Sequence, residues 1–413
     1  MHILFLTDNF PPEVNAPASR TFEHCREWVR SGCEVTVITC APNFPRGRVF
    51  DGYRNRLWQK EDKEGIRVIR VWSYITANEG FFLRILDYVS YMITASFASL
   101  FVRKVDVVVG TSPQFFTACA AYVAGTLKRR PWVFELRDIW PESIRAVGAM
   151  QDSAALRFLE KVELFLYRKS KMIVAVTNAF RRNLVKRGID PDKIKVITNG
   201  ADTGRFKPRE KDTALVAELG LEGKFVVGYV GTHGMAHALD TLLDAARSCR
   251  ARGSADTKIQ FILLGDGSEK AQLVQRASDE GLDNVTFIDS VPKYEVARYW
   301  SLLDASVIHL KRTELFRTVI PSKLFESMAM GIPVLLGVEG ESAEIVKREN
   351  VGIVFQPENP EALSQAAMVL ADDAALRQSL SRNGTTAAHQ YDRSILARNM
   401  LELLQQVAGP EET

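Results

Sequence analysis

The sequence predicts an α/β protein of two domains, each a doubly wound parallel sheet with helices on both faces. Short β-branched runs alternate with amphipathic stretches through residues 1–200, and the alternation starts again at Phe225. A polar segment rich in glycine, 199–223, separates the two series and is typical of a hinge. We therefore expect one domain over 1–200 and a second over 201–390, with a final helical pattern within 391–413 packing back on the first. A chain of 413 residues, 46% apolar, is long enough for two such cores.

The strands follow from the β-branched runs. In the first domain we expect them near residues 2–7, 34–39, 66–72, 106–110, 132–136, 172–176 and 193–197. In the second domain we expect them near 225–230, 259–264, 285–288, 305–310, 333–336 and 352–355. Open parallel sheets bind ligands beyond the carboxyl ends of their strands. The sequence thus predicts a cleft between the domains that is large enough for two substrates.

Residues 81–103 are strongly apolar, but Arg84 and Asp87 interrupt them. About 15 uninterrupted residues remain, fewer than a bilayer-spanning helix needs. We expect a buried helix here. The alternative is a face that docks on an anionic membrane, which Arg103, Lys104 and the arginine-rich loop at 46–56 favour.

Composition limits the possible partners. Residues 1–200 hold 30 Lys and Arg against 20 Asp and Glu, whereas residues 201–413 hold 23 against 30. The basic half could meet an anionic partner or could simply be solvated, and no RNP motif or zinc knuckle points to nucleic acid.

Five cysteines without a CxxC pair and six histidines without an HExxH motif suggest neither a disulfide framework nor a metal site. With no basic leader before the first apolar run, we expect a cytoplasmic protein.

The most informative motif is the helix predicted over residues 321–331. Its apolar positions share one face, while Lys323 and Glu326 lie side by side on another. Pro321 suits the first turn and Gly331 the helix end, so both charges lie near the N-terminus, where backbone amides attract anions. This arrangement suits a diphosphate next to a sugar diol. The alternative is a surface helix with an ordinary ion pair.

Two glycine-containing loops follow strands of the second domain. The first contains Gly231, Thr232, His233 and Gly234, with His237 just beyond them. Its glycines would let backbone amides approach phosphate oxygens, with the histidines as further donors. The second loop holds Gly265 and Gly267 and is equally consistent with a plain turn.

The long loop after the first strand lacks the GxGxxG of dinucleotide-binding proteins, which argues against a nicotinamide or flavin enzyme. Asn15 in this loop could adopt a left-handed backbone and present amides to a ligand; an ordinary strand-to-helix loop is the alternative.

Arg137 and Asp138 end an apolar strand at the expected cleft edge, where they could be functional or could hold a loop as an ion pair. The DxD-like segment at 190–192 contains a proline and predicts a turn.

Taken together, these motifs resemble the retaining glycosyltransferases of family 4, which have two Rossmann-like domains in the GT-B architecture. The resemblance covers essentially the whole chain and rests on segments 10–13, 196–208, 230–231, 264–267 and 321–334. Segments 15–20 and 137–143 are similar to bacterial O-antigen and capsule enzymes, particularly N-acetyl-L-fucosamine transferases.

The resemblance implies that the first domain binds the acceptor and the second a nucleotide-sugar donor. It implies that Glu326 binds the donor ribose and that Lys323, with the amides near Ser322 and Leu324, faces the diphosphate. The sequence departs from the family at several positions. The first of two paired glutamates falls on Thr318, and the Arg and Lys that usually hold the diphosphate fall on Thr232 and His237. The usual His-Asp pair aligns with Arg137-Asp138 and the usual Gly-Gly with Asn15-Ala16, in the loop that ends at Arg20.

The implied reaction is transfer of a sugar from a UDP-type nucleotide sugar to a saccharide acceptor with retained anomeric configuration, without metal or other cofactor. Asp138 would orient or help deprotonate the acceptor, which we expect to be lipid-linked, in surface polysaccharide synthesis at the cytoplasmic face of the inner membrane. The alternatives are a nucleotide-sugar 2-epimerase of the same architecture and a non-catalytic sugar-nucleotide-binding subunit.

Overall fold

A computed structural model describes residues 1–44, 47–76, 81–139, 154–252, 258–292 and 294–409. The chain divides into two units, one formed by Met1–Thr198 with Arg393–Thr413 and the other by Asn199–Asp392. Each unit is an α/β domain built on one sheet, and the predicted fold class is confirmed.

The first unit contains an eight-stranded sheet of order β3-β4-β2-β1-β5-β6-β7-β8. Its strands are β1 (His2–Leu6), β2 (Glu34–Cys40), β3 (Trp58–Lys63), β4 (Ile66–Val71), β5 (Val107–Thr111), β6 (Trp132–Leu136), β7 (Met172–Ala175) and β8 (Ile194–Val196). Its helices are α1 (Ala16–Arg30), α2 (Phe81–Leu100), α3 (Phe115–Lys128), α4 (Ala154–Lys169), α5 (Asn178–Lys186) and α14 (Arg393–Ala408). Alternate residues of β1 face opposite sides: Leu4 and Leu6 lie in one apolar cluster, and Ile3 and Phe5 in another that includes Trp28 of α1. This two-sided burial explains why the strands are continuous apolar runs.

Strand β3 was absent from the sequence prediction. It pairs antiparallel with β4 through a two-residue turn in which Glu64 and Gly65 both have positive φ. Two positive φ values are typical of the hairpin turn that matches strand twist. The strand is an edge strand of mostly charged residues, so it lacks the apolar run by which its neighbours were found.

The C-terminal helix α14 packs on α1 of the first unit. Trp28 Nε1 donates a hydrogen bond to the Ala397 carbonyl at 2.8 Å, and Arg393 forms an ion pair with Glu23 at 2.7 Å. Residues Pro191–Lys193 form a 3₁₀ turn that Asp190 caps by accepting from the Asp192 amide, so the DxD-like segment is a turn as expected.

Helix α2 is buried on one face only. Tyr91, Ala95 and Ala98 are buried, whereas Ile93 and Phe97 are 60% and 62% exposed. The expectation of a buried helix therefore fails for this second face, which continues through the exposed Phe101. No helix in the described ranges combines the length and the apolarity needed to cross a membrane.

The second unit contains an entirely parallel sheet of order β11-β10-β9-β12-β13-β14. Its strands are β9 (Lys224–Val230), β10 (Lys258–Leu264), β11 (Val285–Ile288), β12 (Ala305–His309), β13 (Val334–Gly337) and β14 (Gly352–Val354). Its helices are α6 (Thr213–Glu218), α7 (Asp240–Arg252), α8 (Lys270–Asp279), α9 (Val296–Trp300), α10 (Lys323–Met330), α11 (Glu341–Glu349), α12 (Pro360–Asp372) and α13 (Ala374–Ala388). The loops after β9 and β10 and the start of α10 meet at the carboxyl edge of this sheet.

Candidate functional site

Helix α10 places the charges that the sequence singled out. Leu324, Phe325 and Met328 are fully buried, which fixes the helix against the sheet. Gly331 ends the helix with φ +68°, a left-handed conformation that glycine adopts without strain. Lys323 and Glu326 remain only partly covered, on the side that meets the loop after β9.

Lys323 directs its ammonium group inward rather than to the surface. Nζ lies 3.8 Å from the centroid of the Tyr229 ring, is buried, and has no hydrogen-bond partner in the described part of the chain. Burial lowers the pKa of Lys323 to about 7, although the charge of Glu326 opposes that shift. The interpretation of an ordinary surface ion pair is therefore wrong. The ammonium is a desolvated cation on an aromatic face.

The two glycine loops interlock. The Gly231 amide donates to the Leu264 carbonyl at 2.9 Å, and the His233 amide donates to the Asp266 carbonyl at 2.8 Å. Gly265 has φ +145°, and a Cβ on it would lie 1.9 Å from the Gly231 oxygen, so no other residue fits there. Gly267 faces the His233 backbone in the same way.

This interlocking corrects one expectation about phosphate binding. The amides of Gly231 and His233 are already donated to carbonyls, and the Leu324 amide donates to Pro321. These three amides are therefore not available to cradle a phosphate. Ser322 is in the α region at the helix start and makes no side-chain cap, while the hydroxyl of Thr318 donates to the Leu315 carbonyl at 2.7 Å.

Side chains around Tyr229 form the rest of this site. The ring centroids of His233 and His237 lie 5.9 and 5.8 Å from that of Tyr229. Burial lowers the pKa of both histidines to about 4, with Lys323 contributing in each case. His233 is completely buried, and neither of its ring nitrogens has a hydrogen-bond partner among the described residues. His237 is only partly covered, and Gly234 beside it has an extended backbone with φ −117°.

A reciprocal contact fixes the backbone at His237. The Glu358 amide donates to His309 Nε2 at 2.9 Å, so Nδ1 of His309 carries the proton and donates to the His237 carbonyl at 2.7 Å. Sequence reasoning missed both His309 and Tyr229. The only signal was their position at the ends of parallel strands.

In the first unit, Asn15 caps a helix. Its side chain accepts from the Ala18 amide at 2.8 Å and its φ is −66°, so it does not adopt the left-handed conformation that the sequence left open. Ala16 is the first residue of α1. Asn15 also donates to the Asn9 side chain at 2.7 Å, which ties the loop to itself. The ordinary strand-to-helix loop is the correct interpretation.

Arg20 is a buried structural cation. It is 6% exposed, its Nε lies 3.0 Å from Glu135, and its other nitrogens donate to the carbonyls of Ile197 and Thr198. Burial alone would raise the pKa of Glu135, but Arg20 and Arg137 hold it below its usual value. Arg20 therefore joins α1 to β6 and to the end of the first unit.

Asp138 follows β6 at the carboxyl edge of the first sheet. Ser112 Oγ accepts from the amides of Arg137 and Asp138, at 2.8 and 3.1 Å. Arg137 donates to the Pro17 carbonyl at 3.3 Å, and burial lowers its pKa to about 10. The remainder of this motif, residues 140–143, lies outside the described residues.

Asp8 is a second carboxyl at this edge that sequence reasoning did not select. It follows β1, the second strand from β6, and its Oδ2 accepts from Gln114 Nε2 at 3.1 Å. Burial, followed by the charges of Asp87 and Glu13, raises the pKa of Asp8 to about 8. The signal for it was the same as for Asp138, a carboxyl directly after a buried parallel strand.

Comparison with known proteins accounts for both units. Residues 15–200 match the family model described as glycosyl transferase 4-like domain, and residues 211–387 match that described as glycosyl transferases group 1. The chain is 23% identical to WcaI of Escherichia coli (strain K12), a glycosyl transferase named for colanic acid biosynthesis, over 97% of this chain and 98% of WcaI. It is 24% identical to the glycosyltransferase WbjE of Pseudomonas aeruginosa over 64% and 65% of the two chains.

Solved structures give the same architecture. HepE of Anabaena, crystallised with UDP and glucose, superposes with a TM-score of 0.69 at 18% identity over 97% of this chain and 98% of HepE. The sucrose-phosphate synthase of Thermosynechococcus elongatus superposes with a TM-score of 0.73 at 16% identity over 98% of each chain. The chain thus consists of a glycosyltransferase 4-like domain followed by a glycosyltransferase group 1 domain, on the GT-B fold.

Proposed function

We propose that this protein is a retaining glycosyltransferase that moves a sugar from a UDP-type nucleotide sugar to a saccharide hydroxyl. The observation that carries the proposal is the buried ammonium of Lys323, which has no acceptor in the described chain and lies beside the loop after β9. Two anionic phosphates would supply the missing partner. HepE, which shares the fold, was crystallised with UDP and glucose, and this supports a donor of the same class.

The chemistry depends chiefly on the leaving group. Transfer through an oxocarbenium-like transition state leaves a negatively charged diphosphate, so a positioned cation lowers the barrier. Lys323 takes that role without a metal, and His237 can gain a proton once phosphate oxygens lie beside it. Glu326, three residues further on the same helix, binds the ribose hydroxyls in this proposal.

The first domain binds the acceptor in this proposal, with Asp138 at the strand end to orient its hydroxyl. Comparison with WcaI, named for colanic acid biosynthesis, supports an acceptor from bacterial surface polysaccharide synthesis. The sugar that we favour is an N-acetylated amino or deoxyamino sugar such as N-acetyl-L-fucosamine. This choice rests on the resemblance of segments 15–20 and 137–143 to transferases of that sugar.

A lipid-linked acceptor would require the protein to work at an anionic membrane surface. The exposed face of α2 supports this, because Phe97 and Phe101 pack edge to face at 5.2 Å and Arg103 and Lys104 follow them. An apolar stripe with adjacent cations is typical of interfacial helices. Flotation with vesicles of anionic lipid tests it: Phe97→Ser should reduce binding, whereas Phe158→Ser, equally exposed on α4, should not. Equal binding by both variants would exclude α2 as the docking face.

Calorimetry across nucleotide sugars, followed by turnover with and without a saccharide acceptor, tests the activity. We expect binding of one UDP-sugar and transfer only when an acceptor is present, with retained configuration by NMR. Formation of an epimer without acceptor would instead establish the 2-epimerase. Binding without any turnover across a broad acceptor panel would favour the non-catalytic subunit.

A further inference from the structure

Tyr229 contacts the proposed donor site in two ways. Its ring face meets the Lys323 ammonium at 3.8 Å, and its hydroxyl donates to the Thr232 carbonyl at 2.7 Å. The side chain is completely buried in β9. Tyr229 thus contacts both the Lys323 ammonium and the loop after β9, which lies next to that ammonium.

Besides the ring of Tyr229, the charge of Glu326 favours the charged form of Lys323. A Cβ on Gly231 would lie 2.6 Å from Nζ, so the loop approaches the ammonium as closely as a residue without a side chain allows. Among the described residues Nζ has no hydrogen-bond acceptor, and the face of the Tyr229 ring lies 3.8 Å from it. A desolvated contact of this kind favours the charged form of the lysine.

We propose that Tyr229 is a positioning residue for the donor diphosphate: its ring keeps the Lys323 ammonium charged and in place, and its hydroxyl fixes the adjoining loop. This inference rests on the proposed function, since it takes the nucleotide diphosphate as the ligand of Lys323. It assigns to a buried aromatic residue the part that a hydrogen-bond acceptor would otherwise play. An acceptor carboxylate at that place would repel the diphosphate, whereas a neutral ring does not.

The pH dependence of binding reports on this contact, because few other groups here titrate near neutrality. The titratable and charged groups around the ammonium and the two neighbouring histidines come from the loops after β9 and β10, the start of α8, the end of β12 and α10: His233, His237, Asp266, Lys270, His309 and Glu326. His233 and His237 are neutral at pH 7 because their pKa values are about 4, and burial lowers that of His309. The pKa of Lys323 is about 7. Both phosphates of UDP-glucose are diesters, so the diphosphate adds no titration in this range.

Calorimetry with UDP-glucose from pH 6 to 9 tests the inference on the full chain. If the charged form of Lys323 binds, affinity should fall by up to about 100-fold across this range, with a midpoint near 7. Tyr229→Phe keeps the ring and should keep the midpoint. It should weaken binding by the same factor at every pH, because the hydroxyl no longer fixes the loop after β9. Tyr229→Leu removes the ring and should move the midpoint down by about one pH unit or more.

Phenylalanine analogues with fluorinated rings at position 229 keep the shape of the Phe variant while weakening its electrostatic face, and so provide a test that survives if Tyr229→Leu fails to fold. We expect the midpoint to fall stepwise with fluorination. Identical midpoints for Phe and its fluorinated analogues would overturn the inference and leave the proposed function intact. Failure of the wild-type protein to bind any nucleotide sugar at any pH would overturn both.

Discussion

Replacing Lys323 by methionine should stabilise the free protein and weaken its binding of a nucleotide diphosphate. Methionine has nearly the same length and flexibility as the lysine side chain but no charge. The substitution therefore removes the buried ammonium and leaves the packing against Tyr229 in place. Opposite effects on stability and on binding are expected only if the charge serves a ligand rather than the fold.

The gain in stability follows from the pKa of Lys323, which falls from an ordinary 10.5 to about 7. Each pH unit corresponds to about 1.4 kcal/mol, so keeping the ammonium charged costs the folded protein up to about 5 kcal/mol. The unfolded chain binds the extra proton between these two pKa values, so wild-type stability from this group rises with pH over that interval. The advantage of the Met variant should thus be greatest below pH 7 and disappear toward 10.5.

The loss in binding follows from charge-assisted hydrogen bonds to phosphate oxygens. Such bonds are worth about 1.5–3 kcal/mol, so losing them should raise the dissociation constant roughly 10- to 150-fold. Calorimetry with the preferred nucleotide sugar measures this loss. Differential scanning calorimetry at pH 6 and pH 9 measures the stability, with a melting temperature about 2–4 °C higher per kcal/mol gained.

Lys323→Arg provides a matched comparison, because it keeps the charge with a larger head group that does not fit the space beside Gly231. We expect it to lose stability, unlike the Met variant. A Met variant that melts lower than wild type at pH 6 would show that the ammonium stabilises the fold. Unchanged affinity in that variant would remove Lys323 from the donor site.

Three further substitutions separate structural from functional roles. Gly265→Ala places a Cβ 1.9 Å from a facing backbone oxygen and should lower the free energy of unfolding by about 3 kcal/mol or more. Gly234→Ala is the control and should be tolerated, because its Cβ would meet nothing closer than 3.5 Å. Equal stability of the two variants would refute the interlocking of the loops. Glu135→Gln removes the carboxylate that lies 3.0 Å from Arg20 Nε and should cost about 3 kcal/mol by urea titration, and a loss below about 0.5 kcal/mol would refute the buried pair. Asp138→Asn should reduce transfer about 100-fold or more while leaving donor affinity unchanged, and wild-type turnover would exclude it from acceptor chemistry.

The fold was largely predictable because both sheets are buried on both faces. Such strands are apolar runs rich in β-branched residues, and runs such as Val107–Thr111 and Lys258–Leu264 can be recognised in the sequence. Strand β3 was not found because an edge strand exposes its polar side chains. Its signal was the turn at Glu64 and Gly65, which is weaker than a hydrophobic run.

The candidate site was predictable only in part. Lys323 and Glu326 were selected from helical spacing, which is a local property of the chain. The partner of Lys323 was not, because Tyr229 lies 94 positions away and meets the helix only when β9 and α10 pack together. The glycines were interpreted as phosphate-binding for the same reason: a sequence shows that a residue lacks a side chain, but not whether a ligand or another loop occupies the space.

Two buried cations of this chain show how partners distinguish structure from function. Arg20 has a carboxylate and two carbonyls around its guanidinium, so the fold itself compensates its burial. Lys323 Nζ meets the Tyr229 ring and has no hydrogen-bond partner among the described residues, although an uncompensated buried charge costs several kcal/mol. A buried charge that the fold does not compensate is retained where a bound ligand compensates it. Ligands of parallel sheets bind at the carboxyl edge, and a ligand that compensates an ammonium there is an anion. The buried Nζ of Lys323, without an acceptor in the described part of the chain, thus supports an anionic ligand more directly than the sequence motif does.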